Sequence, residues 1–145
     1  MMAKIKHIAL TTKNPSEVAE FYKKAFDMQE LYRRPNGAVY LSDGYINLTI
    51  LNCKTADAPD VGPMGPTFEG IHHIGFEVDD LDTASAKIEA ANGKRIVSQR
   101  ERAVVTAPET TTQGFQRPDV GNEIKFFGPN EVVIDISQGG WATSP

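Results

Sequence analysis

The chain has 145 residues, of which 40% are hydrophobic and 23% charged, and its 15 basic and 19 acidic side chains give a net charge of −4. This composition predicts a folded core, and the negative charge argues against nucleic acid or an anionic membrane as a partner. No apolar run approaches the roughly 20 residues that span a bilayer, and no cleavable leader is recognisable, so we expect a cytoplasmic protein. Because Cys53 is the only cysteine, a metal would need His, carboxylate or amide ligands.

One sequence pattern occurs twice. KIKHIALTT at residues 4–12 aligns with GIHHIGFEV at residues 70–78 when His7 is placed on His73. Each copy has the alternation of a strand and is followed by a helical pattern, which begins at Asn14-Pro15 in the first copy and at Asp80 or Asp82 in the second. Asn92-Gly93 is expected to end the second helix.

Further strands are expected after each helix. Residues 37–51 alternate around the turn signal Asp43-Gly44, and residues 123–137 alternate around Gly128-Pro129-Asn130. The sequence therefore predicts two copies of one unit. The expected boundaries are a first module at 1–53, a linker at 54–70 and a second module with a C-terminal tail at 71–145. Residues 98–122 form a second irregular stretch, typical of a functional loop.

Strand alternation places one potential metal ligand on the polar face of each of four strands. These residues are His7, Asn47, His73 and Asp135. Their neighbours on the same face are small, which favours a shared cavity, although such a face can also point at water. Two imidazoles, one carboxylate and one amide suit a divalent transition ion. His72 alternates to the opposite face from His73, so we interpret it as structural or solvated.

The HIAL and HIGF phrases one module apart, each followed by a capped helix, and the closing VVIDIS strand resemble the vicinal oxygen chelate superfamily. That superfamily includes glyoxalase I, methylmalonyl-CoA epimerase, fosfomycin-resistance enzymes, extradiol dioxygenases and bleomycin-resistance proteins. The resemblance implies an α+β fold of two βαβββ modules that form an incomplete mixed-sheet barrel, in a homodimer. It also implies metal ligands at His7, His73 and Asp135. Asn47 falls where Glu or Gln is frequent, and Asp135 where Glu is usual.

The resemblance implies an enzyme that binds a small-molecule substrate through a divalent metal ion, which could be Zn, Ni, Co, Mn or Fe(II). The leading hypothesis is a glyoxalase I-like or epimerase-like lyase or isomerase that stabilises an enediolate, with Asp135 or Glu77 as the catalytic group that moves the proton. Two alternatives stay open. One is an extradiol-type non-haem Fe(II) dioxygenase. The other is a metal-free protein that sequesters a ligand, like the bleomycin-resistance proteins.

Candidate substrate contacts complete the sequence-based prediction. They are Thr49, Phe115, Arg117 and Trp141. Thr49 shares the polar face with Asn47, and Arg117, like Arg100 and Arg102, could clamp an anionic substrate. Packing of the aromatic side chains and exposure of the arginines to solvent are the competing interpretations.

Overall fold

One eight-stranded mixed sheet with two helices makes up the described part of the chain. The computed structural model describes residues 2–53, 67–96 and 123–145. In chain order the elements are β1 (Lys4–Thr12), α1 (Pro15–Phe26), β2 (Gln29–Arg33), β3 (Val39–Ser42), β4 (Asn47–Asn52), β5 (Gly70–Glu77), α2 (Leu81–Ala90), β6 (Lys94–Ile96), β7 (Glu123–Phe127) and β8 (Val133–Ser137). Both expected turns are present, between β3 and β4 and between β7 and β8.

The sheet joins the two sequence repeats through their first strands. Its order is β2-β3-β4-β1-β5-β8-β7-β6, with β1 and β5 antiparallel at the centre. On the outer sides β1 pairs in parallel with β4, and β5 in parallel with β8. Each half therefore has the same strand arrangement, which confirms the predicted pair of βαβββ modules. The sheet does not close into a barrel, in agreement with the expected incomplete one. The module boundaries stay a prediction, because linker residues 54–66 lie outside the described residues.

Alternation along the strands separates an apolar face from a polar one. The apolar face of the first half packs beneath α1, where the buried core consists of Leu10, Ala19, Val39, Leu41, Leu48 and Ile50. On the opposite face, which we call the inner face, a smaller apolar cluster is formed by Ala9, Ala38, Tyr40 and Leu51. The inner face also bears the four predicted ligands. Burial of the apolar face against α1 fixes the strand registers, since a slip of one residue would exchange the two faces.

The helix boundaries agree with the sequence signals, with one difference in capping. Pro15 occupies the first turn of α1, as expected, but the side chain of Asn14 makes no capping hydrogen bond. Asp80, rather than Asp82, caps α2, because its Oδ2 accepts hydrogen bonds from the backbone N–H and the hydroxyl of Thr83. Asn92 follows α2 with a left-handed φ of 72°. Among the described residues no helix is long and apolar enough to cross a membrane.

The contrast between the two caps predicts different responses to mutation. Asp80→Ala removes the acceptor for Thr83 and should lower the temperature of thermal unfolding by a few degrees. Asn14→Ala, the matched control, should change it much less because no side-chain cap is lost. Calorimetry of both variants measures the difference. Equal effects would contradict this assignment of the caps.

Candidate metal site

Three potential ligand atoms converge on the inner face, where β1, β5 and β8 lie side by side. Nε2 of His7 lies 3.1 Å from Nε2 of His73, and Nε2 of His73 lies 3.0 Å from Oδ2 of Asp135. All three ligand atoms lie within 4.8 Å of one another. The three side chains are buried, none more than 4% exposed, so this polar face does not point at water.

Asn47 holds the ring of His7 in one orientation. Nδ2 of Asn47 donates to the carbonyl of Ala142 at 2.8 Å, so its Oδ1 faces the other way. That oxygen accepts a hydrogen bond of 2.6 Å from the hydroxyl of Thr49, and it lies 2.9 Å from Nδ1 of His7. Nδ1 of His7 therefore carries the hydrogen, and Nε2 presents a lone pair to the site. Asn47 thus lies beside the site with its carbonyl oxygen directed at His7.

A β-bulge places His72 beside His73. Ala9 pairs with His73 and Leu10 with Ile71, so His72 is an extra residue in the antiparallel pairing of β1 with β5. The two histidine rings meet edge to face with centroids 4.7 Å apart, and their Nδ1 atoms are in contact. The expectation that His72 points to the opposite face is therefore wrong, because alternation fails at a bulge. A hydrogen shared between the Nδ1 atoms constrains the orientation of His73.

Burial and neighbouring charges leave His73 neutral and Asp135 ionised. Burial lowers the pKa of His73 to about 3, and outweighs the opposite effect of the Asp135 carboxylate. Burial alone would raise the pKa of Asp135, but the charge of Lys125, together with His73, outweighs it and holds that pKa below its ordinary value. A neutral imidazole and a carboxylate are the forms that bind a metal ion.

The donor set fits a divalent cation. Oδ2 of Asp135 is buried and accepts no hydrogen bond from the described residues. The network around His7 directs a lone pair at the same point, and a neutral His73 can direct another there. A site that excludes water offers few partners for converging acceptor atoms, and a cation would satisfy the carboxylate and both imidazoles. Two imidazoles and one carboxylate are established ligands of Zn and of other first-row transition ions.

The C-terminal segment packs beside this cluster through residues 141–143. The indole of Trp141 stacks on the ring of His7 with centroids 4.6 Å apart and an interplanar angle of 6°, and its Nε1 donates to Oε1 of Glu123. The carbonyl oxygen of Thr143 accepts a hydrogen bond of 2.8 Å from the hydroxyl of Ser42. Gly75 permits this packing, because a Cβ there would lie 2.6 Å from the indole and 2.7 Å from Cβ of His7.

The remaining predicted site residues lie in different places. Thr49 is buried on the inner face and bonds Asn47. Glu77 lies at the end of β5, where it packs near Gly140 instead of joining the ligand cluster. Phe115 and Arg117, with Arg100 and Arg102, lie outside the described residues.

The sequence pattern does not single out two charged residues that lie near the site. Lys125 pairs with Asp135, and Glu123 bonds Trp141. Alternation along EIKFF places both on one face of β7. The register that sets Lys125 opposite Asp135 cannot be read from the sequence.

Comparison with known proteins identifies the family. The family model of the Glyoxalase/Bleomycin resistance protein/Dioxygenase superfamily matches residues 4–136. The chain belongs to this superfamily. Members commonly use a divalent metal ion and bind small-molecule substrates, and the cluster of His7, His73 and Asp135 gives this member a candidate metal site. No curated protein matches the sequence.

Solved structures of the superfamily share the fold at low sequence identity. A hypothetical protein from Bacillus halodurans C-125 is 16% identical over 94% of both chains, with a TM-score of 0.63. A variant of Streptomyces coelicolor methylmalonyl-CoA epimerase with 2-nitronate-propionyl-CoA is 21% identical over 98% of this chain and 99% of that one, with a TM-score of 0.60. A methylmalonyl-CoA epimerase with methylmalonyl-CoA and NH4+ is 21% identical over 100% of both chains, also with a TM-score of 0.60. Such identities show the fold alone.

Acid should destabilise the metal-free protein through His73. The folded chain lowers the pKa of this group from 6.5 to about 3, so the unfolded chain binds one more proton between these values. The free energy of unfolding should therefore fall as the pH drops through this window, by about 1.4 kcal/mol per pH unit for one proton. Denaturant unfolding between about pH 6 and pH 4.5, with a chelator present, measures the slope.

The His73→Gln variant provides the control. It lacks the titrating group, so its slope should be shallower than that of the wild type by about one proton. The comparison uses slopes rather than absolute stabilities, since the substitution also changes packing. Equal slopes for the two proteins would contradict a neutral, buried His73.

Proposed function

We propose that this superfamily member is a metal-dependent enzyme that moves a proton next to a carbonyl group of a small oxygenated substrate, as a glyoxalase I-like or epimerase-like lyase or isomerase. The observation that carries the proposal is the convergence of Nε2 of His7, Nε2 of His73 and Oδ2 of Asp135 within 4.8 Å in a buried site. The likeness in fold to methylmalonyl-CoA epimerases is consistent with it.

In this proposal His7, His73 and Asp135 hold a divalent ion, which could be Zn, Ni, Co, Mn or Fe(II). When bound, the ion would act as a Lewis acid toward two adjacent oxygens of the substrate. Asn47 positions His7 through Nδ1 and leaves the amide oxygen engaged with His7 and Thr49. Three protein ligands leave coordination positions for substrate.

The proton is moved by a carboxylate outside the ligand cluster. Asp135 is a poor base, because Oδ1 is paired with Lys125 and Oδ2 faces the ligand atoms of the histidines. Glu77 and Glu123 lie on β5 and β7, on either side of Ser137 of β8, and neither belongs to the ligand cluster found among the described residues. We assign the role to Glu77, with Glu123 as the alternative.

Substrate contacts and assembly belong to the same proposal. Thr49 and Trp141 remain proposed substrate contacts: Trp141 stacks on the ring of His7, and Thr49 is linked to His7 through Asn47. Phe115 and Arg117 are proposed contacts on the basis of their sequence alone. A homodimer is proposed on family resemblance.

The donor set also supports a second function. Two histidines and one carboxylate are the ligands of non-haem Fe(II) oxygenases, so an extradiol-type dioxygenase is the alternative enzyme. A protein that only sequesters a ligand would need none of the three. The two enzymes differ in the metal they use and in oxygen consumption, and the sequestering protein differs from both because it binds no metal.

Metal content is the first test of the proposed function. After supplementation with metal and dialysis, the wild-type protein should retain about one equivalent, and a variant carrying both His7→Ala and His73→Ala should retain none. Asp135→Asn should weaken metal binding by about tenfold or more, because a charged ligand is lost. Asp82→Asn, which removes an exposed carboxylate from α2, is the matched control and should leave metal binding unchanged. A folded wild-type protein that retains no metal would favour the sequestering protein.

Solvent exchange then separates the two enzymes. The loaded protein should exchange the α-hydrogen of methylmalonyl-CoA, the ester bound in one related structure, for deuterium. Glu77→Gln should abolish exchange while retaining the metal, because this residue is not a ligand. Oxygen uptake with a catechol in the iron-loaded protein, without exchange, would overturn the proton-transfer function in favour of the dioxygenase.

A further inference from the structure

Lys125 forms a close ion pair with the candidate ligand Asp135. Nζ of Lys125 lies 2.5 Å from Oδ1 of Asp135, and the two residues are directly opposite each other on β7 and β8. The lysine side chain is 15% exposed and the aspartate side chain 1%. Because the pair is largely excluded from water, screening is weak and the charges interact strongly.

The pair determines which oxygen of Asp135 is presented to the site. Oδ1 is engaged by the ammonium group, whereas Oδ2 points at Nε2 of His73 and accepts no hydrogen bond from the described residues. A charge-assisted bond of this kind fixes the rotation of the carboxylate. Asp135 therefore offers a cation one oxygen instead of two.

The same pair changes the charge of the site. The negative charge of the Asp135 carboxylate is offset by the ammonium group of Lys125. A divalent cation at Oδ2 would share the carboxylate with an ammonium group already in contact with it. Because the site is largely excluded from water, the repulsion between the cation and the ammonium group is weakly screened, and we expect it to outweigh the benefit of holding the carboxylate in place.

We propose that Lys125 is a positioning residue that sets the mode and strength of metal binding: it holds Asp135 through Oδ1, so that one oxygen faces the ion, and it lowers the affinity of the site for the ion. This inference rests on the proposed metal site and assigns to Lys125 a role apart from the ligands. If Lys125 only held Asp135 in place, replacing it would weaken metal binding, because a loosened Asp135 is a poorer ligand.

The test is the dissociation constant for Co²⁺ alone, measured at about pH 8 by competition with a chromophoric chelator. Lys125→Gln removes the charge but retains a donor for Oδ1, and should bind Co²⁺ at least about tenfold more tightly than the wild type. Lys125→Arg keeps the charge and should stay within about threefold of the wild type. Lys94→Met, which removes an exposed positive charge from β6, is the matched control and should not change affinity.

The Lys125→Met variant and the absorption spectrum of bound Co²⁺ provide a second test. Lys125→Met removes both the charge and the donor, so it should bind more tightly than the wild type and change the Co²⁺ absorption spectrum, as the second oxygen of Asp135 becomes available. Fluorescence of Trp141, the only tryptophan, together with circular dichroism, verifies the fold.

The possible failures are distinguishable. Affinity that is unchanged or weaker in a folded Lys125→Gln protein, with the wild type binding Co²⁺, overturns the role of Lys125 and leaves the metal site intact. Absence of Co²⁺ binding in the wild type and in every variant overturns both the metal site and this inference.

Discussion

The antiparallel pairing of β1 with β5 is the constraint on which the site depends. It joins the two halves of the chain and sets His7 opposite Gly75 and Ala9 opposite His73. Because the partner of each histidine is small, the two imidazoles can approach to 3.1 Å between their Nε2 atoms. The parallel pairing of β8 with β5 then brings Asp135 alongside Gly75. Three residues distant in sequence thus become one cluster through backbone pairing.

Polar groups are buried around this cluster. They fix the protonation and orientation of its side chains, and their burial reduces the stability of the fold. Burial keeps His73 neutral by lowering its pKa, and the Lys125 ammonium compensates the buried charge of Asp135. Asn47 and Trp141 hold His7 from two directions, one through Nδ1 and the other by stacking. A core of apolar side chains would not need these contacts. Their presence is consistent with the proposed metal site, since they orient His7 and hold Asp135.

The sequence predicts the fold, and it predicts the face of the sheet on which His7, His73 and Asp135 come together; it predicts the contacts between strands less well. The repeated histidine phrase identifies the two modules, and alternation places His7, His73 and Asp135 on the inner face without knowledge of their partners. Alternation gives the wrong face for His72, because a bulge arises from the pairing of two strands and cannot be recognised in the sequence of one strand. Lys125 was missed for a related reason, since its importance comes from the register that pairs it with Asp135.

Anomalous diffraction from crystals soaked with Co²⁺ would locate a metal ion bound between the two halves of the chain. We expect one strong peak about 2.0–2.2 Å from Nε2 of His7, Nε2 of His73 and Oδ2 of Asp135, with Oδ1 still bonded to Lys125. No peak at this cluster in crystals that contain the ion, or a peak held by other residues, would contradict the account.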